Sequence, residues 1–182
     1  MNSIQSQLKR IGHIFRHKIG EVKAIKNFKH SIEIFGKIIG PFISGNHYKM
    51  EFWIAKVFVK YGIMEFVDAD EISIQKIQKI ANTESHATDF KKIDPYLYTA
   101  INEYMDIISA NPEGEKREFR DIFSNTQDLI TIRQRKILSL SQVNSSLNVT
   151  QNLSEEEKIL LAKLTDHVKE WKLFFLDLNR KK

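Results

Sequence analysis

The stretch of sequence that decides the fold is FRDIFSNTQDLITIRQRKILSL, residues 119–140. Its apolar residues recur at steps of three and four, the spacing that turns one side of an α-helix inward. The inward positions are Phe119, Ile122, Phe123, Thr126, Leu129, Ile130, Arg133, Ile137 and Leu140. A second row through Ile132 widens this face beyond what one neighbouring helix covers. The pattern predicts a helix packed among several others, with a charged edge at Arg133, Arg135 and Lys136. The alternative is a core helix whose basic face is simply solvated.

Composition sets limits on the class of protein. The chain has 182 residues, of which 42% are hydrophobic and 28% charged, enough for one large domain or two smaller ones with a packed core. No run of about 18 apolar residues is present, so a membrane span is not expected. The N-terminus lacks an apolar signal core, and we expect a protein that is not secreted. The absence of cysteine excludes disulfides, thiolate metal sites and cysteine nucleophiles.

Charge is distributed unevenly along the chain. Residues 1–60 hold eleven Lys and Arg against three Glu, a net of +8, together with four of the six His. Residues 61–182 hold seventeen basic against twenty acidic residues, a net of −3. This asymmetry predicts two units with different surfaces, the first suited either to a polyanion or an acidic protein, or to no partner at all if its lysines are merely solvated.

Residues 1–67 are predicted to form a small β-rich α+β module with a basic N-terminal arm. Residues 2–19 have helical spacing interrupted by Gly12, which leaves a helix and an extended arm as alternatives. Between residues 21 and 48, short β-branched runs divided by glycines predict two or three short strands joined by turns.

A short helix and a closing strand complete the predicted module. Residues 52–61 predict the helix, and Gly62 is placed to end it in the left-handed conformation. Residues 63–67 predict the strand. A module of this size buries little apolar surface, so we expect it to be stabilised by contacts with another domain or another protein.

Residues 68–182 are predicted to form an α-helical assembly domain, so the fold class is mainly α with a small α+β domain in front. Four helices are predicted in this domain. The first is marked by Ile72, Ile74, Ile77 and Ile80. The second begins at Asp94-Pro95, with Leu97, Ile101, Tyr104, Met105 and Ile108 on its inward face, and it is followed by the 119–140 helix and a last helix. A Ser/Asn-rich link, residues 141–153, precedes the last helix. Ser154 and Glu157 form a capping box at its start.

The last helix carries more aromatic surface than one flank requires. Its apolar positions are Leu160, Leu161, Leu164, Val168, Trp171, Phe174, Phe175 and Leu178. A subunit interface is the sharper interpretation, because four bulky residues fall within eight positions. A core helix is the alternative.

Sequence motifs for catalysis and for nucleotide or metal binding are largely absent. The chain contains no GxxxxGK[ST] loop, no GxGxxG and no HExxH. His13 and His17 have helical ligand spacing but no carboxylate nearby in the sequence. Glu84, His86 and Asp89 cluster without a serine or cysteine elbow, and we interpret them as a polar cap before a helix. We therefore expect no enzyme, no cofactor and no metal.

One aromatic and basic segment has two interpretations. Trp53 and Tyr61 lie beside Lys49, Lys56 and Lys60, a combination found on nucleic-acid-binding faces. An amphipathic helix that packs its aromatic residues inward is the alternative.

Three motifs in order resemble the GINS family of replication subunits. They are Tyr48–Lys56 with the stretch Val57 to Val67, then Phe90-Lys-Lys-Ile-Asp-Pro-Tyr-Leu-Tyr-Thr-Ala, then Phe119 to Leu138 with Asp128, Leu129, Arg133, Lys136 and Ile137. The small module precedes the helical one, which is similar to the subunit type that in archaea pairs with a second type of reverse order. Met50-Glu51-Phe52 departs from the family's leucine-proline, and residues 1–20 have no counterpart.

The resemblance implies a non-catalytic scaffold. GINS subunits form a heterotetramer that bridges the MCM helicase to a RecJ-like partner, can contact primase, and makes the replicative helicase competent to unwind. For this chain the resemblance implies a cytoplasmic, nucleoid-associated replication factor with at most weak, non-specific DNA contact. The predicted subunit interface comprises Ile132, Arg133, Lys136, Leu164, Val168, Trp171, Phe174 and Phe175, and the predicted small-domain docking residues are Trp53, Lys56 and Lys60. The alternative function is a DNA-binding transcription regulator whose first 67 residues are winged-helix-like.

Overall fold

The computed structural model describes residues 3–67, 72–109, 116–142 and 150–176. In order, the elements are α1 (Ile4–Arg16), β1 (Ile19–Ala24), β2 (Ile32–Ile34), β3 (Lys37–Ile39), β4 (His47–Glu51), α2 (Phe52–Lys60), β5 (Met64–Phe66), α3 (Ile74–Ser85), α4 (Leu97–Ser109), α5 (Lys116–Ser141) and α6 (Glu155–Leu176). Helices dominate the described residues, and a small antiparallel β region precedes the helical bundle. The predicted fold class is confirmed.

The strands form two small antiparallel sheets. A three-stranded sheet has the order β4-β1-β5, with Val22 opposite both Tyr48 and Phe66. A separate two-stranded sheet pairs β2 with β3. The predicted strands between residues 21 and 48 therefore exist, and the closing strand is β5.

Helix α2 covers one face of the three-stranded sheet. The core between them consists of Val22, Ala24, Phe42, Ile54, Ala55, Phe58 and Met64, all buried. Alternation along β1 explains this, because Val22 and Ala24 point to the helix while Glu21 and Lys23 point away. Gly62 ends α2 as predicted, with φ of 62° and its N–H donating to the carbonyl of Val59.

Contacts group the chain into two compact units that are not continuous in sequence. One contains the described residues within Met1–Ile11, Ile74–Tyr98 and Asp121–Lys182, and the other those within Gly12–Ser73 and Thr99–Arg120. The predicted division at residue 67 remains a prediction. We call the two groups the bundle unit and the β unit.

The bundle unit is built around α5. Ile122, Leu129, Arg133 and Ile137 of α5 are buried, at the three-and-four spacing from which the helix was predicted. Phe123 and Ile130 of the predicted inward face are instead exposed. The buried face of α5 is therefore narrower than the sequence pattern predicted. A periodic pattern shows which apolar residues share one side of a helix, but not whether a neighbouring element of the same chain covers each of them.

Of the two alternatives for the N-terminal segment, the structure has the helix, since residues 4–16 form α1 despite Gly12.

The capping box is present at α6, where Ser154 N–H donates to Glu157 and Glu157 N–H donates to the Ser154 hydroxyl. Most of the predicted Ser/Asn-rich link, residues 143–149, and Leu178 lie outside the described residues. Among the described helices, none has the length and hydropathy needed to cross a membrane.

Candidate subunit interface

A buried guanidinium lies at the centre of the bundle unit. Arg133 has no exposed side-chain surface, and it donates five hydrogen bonds, equal to the number of its N–H groups. Two go to both carboxylate oxygens of Glu157, at 2.6 and 2.7 Å. A third goes to Glu84 at 2.8 Å, and the carbonyls of Lys91 and Asn152 accept the other two. Arg133 therefore joins α3, α5, α6 and two connecting segments.

Lys136, one helical turn later, completes the network. Its ammonium donates to a carboxylate oxygen of Glu84 at 2.6 Å, and to the carbonyls of Glu84 and Asp89. The ring of Phe90 lies 5.0 Å from the Arg133 guanidinium carbon and 5.8 Å from the Lys136 nitrogen. Two cations face two carboxylates, so the charge in this buried site is balanced.

The network changes the pKa values of Arg133 and Tyr98. Burial alone would lower the pKa of Arg133, but the hydrogen bonds and charge of Glu157 and Glu84 outweigh it, and the pKa is raised. Burial and the neighbouring charge of Glu157 raise the pKa of Tyr98, whose hydroxyl donates to Glu157 at 2.7 Å. Because both pKa values are raised, Arg133 is charged and Tyr98 is protonated near neutral pH.

Glu84 is the residue that sequence reasoning missed. Its interpretation as part of a polar cap differs from the structure, which buries it completely on α3 and gives its carboxylate to Arg133, Lys136 and the N–H of Lys91. The sequence signal was available in α3, since Ile77, Ala81 and Glu84 follow helical spacing on one face. An acidic residue on an apolar face calls for a buried cation.

The end of α6 is an exposed apolar surface. Trp171, Leu173, Phe174, Phe175 and Leu176 are each between 58% and 72% exposed. The rings of Trp171 and Phe175 lie 4.9 Å apart, and those of Phe174 and Phe175 5.0 Å apart, so the aromatic residues contact one another. We call these five residues the α6 end. A cluster of exposed apolar side chains is typical of an interaction site, so this surface is suited to a partner.

Helix α5 adds a second apolar surface. Phe123, Ile130 and Leu138 are 55%, 44% and 41% exposed and lie about two turns apart on one side of the helix. We call them the α5 stripe. Ile130 also lines a groove of about 360 Å³, together with Leu8 of α1 and Leu160 of α6.

The predicted interface residues are distributed between surface and interior. Trp171, Phe174 and Phe175 belong to the exposed α6 end, while Leu164, Val168 and Ile132 are half-buried. Arg133 is fully buried and the Lys136 side chain is 18% exposed, and the partners described above all belong to the same chain. Contact of these residues with another subunit remains a prediction.

The predicted docking residues lie in the β unit. Lys56 of α2 is bonded to Glu103 and Asp106 of α4, and Arg16 donates to the same Glu103 at 2.7 Å. Lys60 is exposed. Trp53 is half-buried, with its indole N–H donating to Glu51 at 2.8 Å. The structure thus engages Lys56 and Trp53 inside the unit.

Among the described residues, no group of three or more His, Cys, Asp or Glu side chains is placed to hold a metal ion. The His13 and His17 rings do touch, with centroids 4.6 Å apart, and Glu51 supplies the carboxylate that the sequence did not show, 2.7 Å from the His17 Nδ1.

These observations define a helical-bundle protein with a small β-rich module and apolar helix surfaces suited to assembly. A family sequence model, Sld5, described as the GINS complex protein helical bundle domain, matches residues 71–173, more than half of the chain. The protein belongs to the GINS family and has a role in the GINS complex of DNA replication. Other GINS subunits are its partners by family, and GINS subunits are non-catalytic scaffold proteins. A comparison with curated proteins found no match.

Proposed function

We propose that this chain is a non-catalytic scaffold subunit of archaeal type, with the small β-rich domain in front of the helical domain. It pairs with a second GINS subunit type in a heterotetramer. The assembled complex bridges the MCM helicase to a RecJ-like partner, activates the helicase and contacts primase, and it acts in the cytoplasm at the nucleoid.

The observation that carries this proposal is the α6 end. Five large apolar side chains, three of them aromatic, are exposed together on the last two turns described for α6. Aromatic residues are enriched at the centres of protein interfaces, and truncating the few residues that dominate binding costs about 2 kcal/mol or more each. The α5 stripe supplies further apolar surface for the same purpose.

The buried Arg133 network supports the proposal indirectly. It fastens the first turn of α6, through Glu157, to α5 and α3. A helix fixed at its start presents its other end in one orientation, which lowers the entropic cost of binding. Arg133 was predicted as an interface residue, and we propose that it serves the interface by positioning α6.

Co-purification with the second GINS subunit of the same organism tests the proposal. The variant Trp171→Ala/Phe174→Ala/Phe175→Ala is expected to keep its helical circular dichroism, because these side chains are exposed, and to bind the partner at least about 100-fold more weakly. The matched control Thr165→Ala/Asp166→Ala/Lys169→Ala changes exposed polar positions of the same helix and should bind normally. Equal binding by both variants would show that the α6 end is not the interface.

The rival function, a winged-helix-like regulator, makes a different prediction. It requires tight, sequence-dependent duplex binding with a steep salt slope, whereas the scaffold binds DNA weakly and without sequence preference. In the described residues 3–67, α1 and α2 are separated by four strands, so they are not consecutive as in a helix-turn-helix. A salt titration on two unrelated duplexes separates the two functions.

A further inference from the structure

The end of α1 places two imidazole rings side by side. His13 lies in the last turn of α1, and His17 follows four positions later, just after the helix ends. The two ring centroids are 4.6 Å apart, with the rings edge to face. Two imidazoles that bind one tetrahedral ion at about 2.0–2.1 Å have centroids roughly 5 Å apart. A small rotation of either side chain therefore brings both rings onto a single ion.

Glu51 determines which nitrogen of His17 is free to bind a metal. A carboxylate oxygen of Glu51 lies 2.7 Å from the Nδ1 atom of His17. An ionised carboxylate only accepts hydrogen bonds, so Nδ1 carries the hydrogen and Nε2 keeps its lone pair in the neutral ring. A histidine that binds a metal usually donates its other ring N–H to a carboxylate or carbonyl oxygen, and this bond orients the ring.

The carboxylate and the ring that it orients are both held in place. The indole N–H of Trp53 donates to Glu51 at 2.8 Å, and the ammonium of Lys37 donates to it at 3.1 Å. The backbone N–H of His17 donates to the carbonyl of Ile14 at 3.3 Å. A site whose groups are already fixed loses little conformational freedom when an ion binds.

The site is accessible to solvent, and its surroundings favour a cation. Both imidazoles are exposed. Within the part of the chain that the structure describes, the ring nitrogens of His13 have no hydrogen-bond partner. The carbonyl end of α1 is the negative end of its helix dipole, which stabilises a positive charge nearby. The adjacent cation, Arg16, is already paired with Glu103 at 2.7 Å.

The chemistry of the two rings selects the class of ion. Imidazole nitrogen suits Zn²⁺, Cu²⁺ and Ni²⁺, whereas Mg²⁺ and Ca²⁺ prefer oxygen ligands. We propose that His13 and His17 bind a divalent transition-metal ion through their ring nitrogens, with Glu51 orienting His17. Two protein ligands leave the other coordination positions to water, so binding is weaker than at a zinc site with four protein ligands. The sequence pattern led us to expect no metal, because Glu51 is 34 positions from His17.

A zinc titration of the purified, untagged full chain tests the site. Calorimetry is expected to show one saturable Zn²⁺ per chain and no binding of Mg²⁺. His13→Asn should weaken zinc binding by at least about 10-fold, because the loss of an outer partner alone costs about 10- to 100-fold. The matched control is His47→Asn. His47 has Glu21 at 2.8 Å from its Nδ1, but no second histidine four positions away, so the control should bind zinc normally.

Glu51→Gln tests the orienting role, and it is expected to weaken zinc binding by about 10- to 100-fold. Nitrogen NMR of the imidazole rings in the unmodified chain identifies the ligand atom without any substitution. Zinc should shift the Nε2 resonance of His17, while Nδ1 keeps its proton.

Three results would overturn the metal site. They are no saturable zinc binding, an affinity that His13→Asn leaves unchanged or that His47→Asn lowers equally, and coordination through Nδ1 of His17. An affinity that Glu51→Gln leaves unchanged would overturn the orienting role. The site lies in the β unit and uses neither the α6 end nor the α5 stripe, so its failure and that of the proposed assembly are distinguishable.

Discussion

Arg133 illustrates how a single residue can be placed correctly by pattern while its partners stay unpredicted. Its position on the inward face of α5 followed from helical spacing. Its partners did not, because Glu84 is 49 and Glu157 24 positions away in sequence. A single sequence shows that a buried arginine needs acids but does not show which ones.

Replacing Arg133 tests whether the network holds the bundle unit together. Arg133→Met leaves Glu84 and Glu157 buried without their main cation, and we expect a loss of about 3–5 kcal/mol in the free energy of unfolding. Arg135→Met, two positions away on an exposed part of α5, should change it by less than about 0.5 kcal/mol. Urea unfolding measures both. Similar losses in the two variants would contradict the role assigned to Arg133.

Elements were predicted better than the contacts between them. Periodicity identified α5, and the Ser154 and Glu157 pair located the start of α6, because both signals are local. The glycine after α2 marked its end for the same reason. In contrast, α1 remained ambiguous because Gly12 weakens a helix that tertiary packing then stabilises, with Phe15 buried against its unit.

Lys56 also shows that contacts between elements were harder to predict than the elements themselves. It was predicted to dock the small domain, and the structure joins it to Glu103, which also receives Arg16. Three helices, α1, α2 and α4, thus meet at one carboxylate that is 3% exposed. Burial would raise the pKa of Glu103, but the hydrogen bonds from Lys56 and Arg16 outweigh burial and lower it. No sequence motif announces such a junction.

The lowered pKa of Glu103 predicts how this junction responds to acid. Its stabilisation is present above the ordinary carboxyl pKa of 4.5 and is lost as the pH falls through the lower value in the folded protein. Glu103→Gln should cost about 1–3 kcal/mol at pH 7 and flatten the decline of stability below pH 4.5. Glu65→Gln, whose pair with Lys23 is exposed, is the control and should change little. Urea unfolding at pH 7 and pH 3 makes the comparison, and an unchanged acid decline in Glu103→Gln would count against the junction.

At the scale of the whole molecule, each of the two units has a buried core, and large apolar side chains outside these cores remain exposed. The sequence predicted the surplus on the last helix, and the structure shows the α6 end exposed. Its assignment as a subunit interface rests on family membership together with this exposure. The exposure of Phe35, in the turn between β2 and β3, was not predicted, because it depends on a hairpin register that pattern alone does not determine.

The most direct test of the central claim is the mass of the purified chain in solution, measured by light scattering alone and after co-expression with the second GINS subunit. If the α6 end and the α5 stripe require a partner, the chain alone will self-associate to masses above 21.3 kDa, and co-expression will yield a single hetero-oligomer. A stable, monodisperse 21.3 kDa monomer that does not bind the second subunit would contradict the claim that these surfaces require a partner.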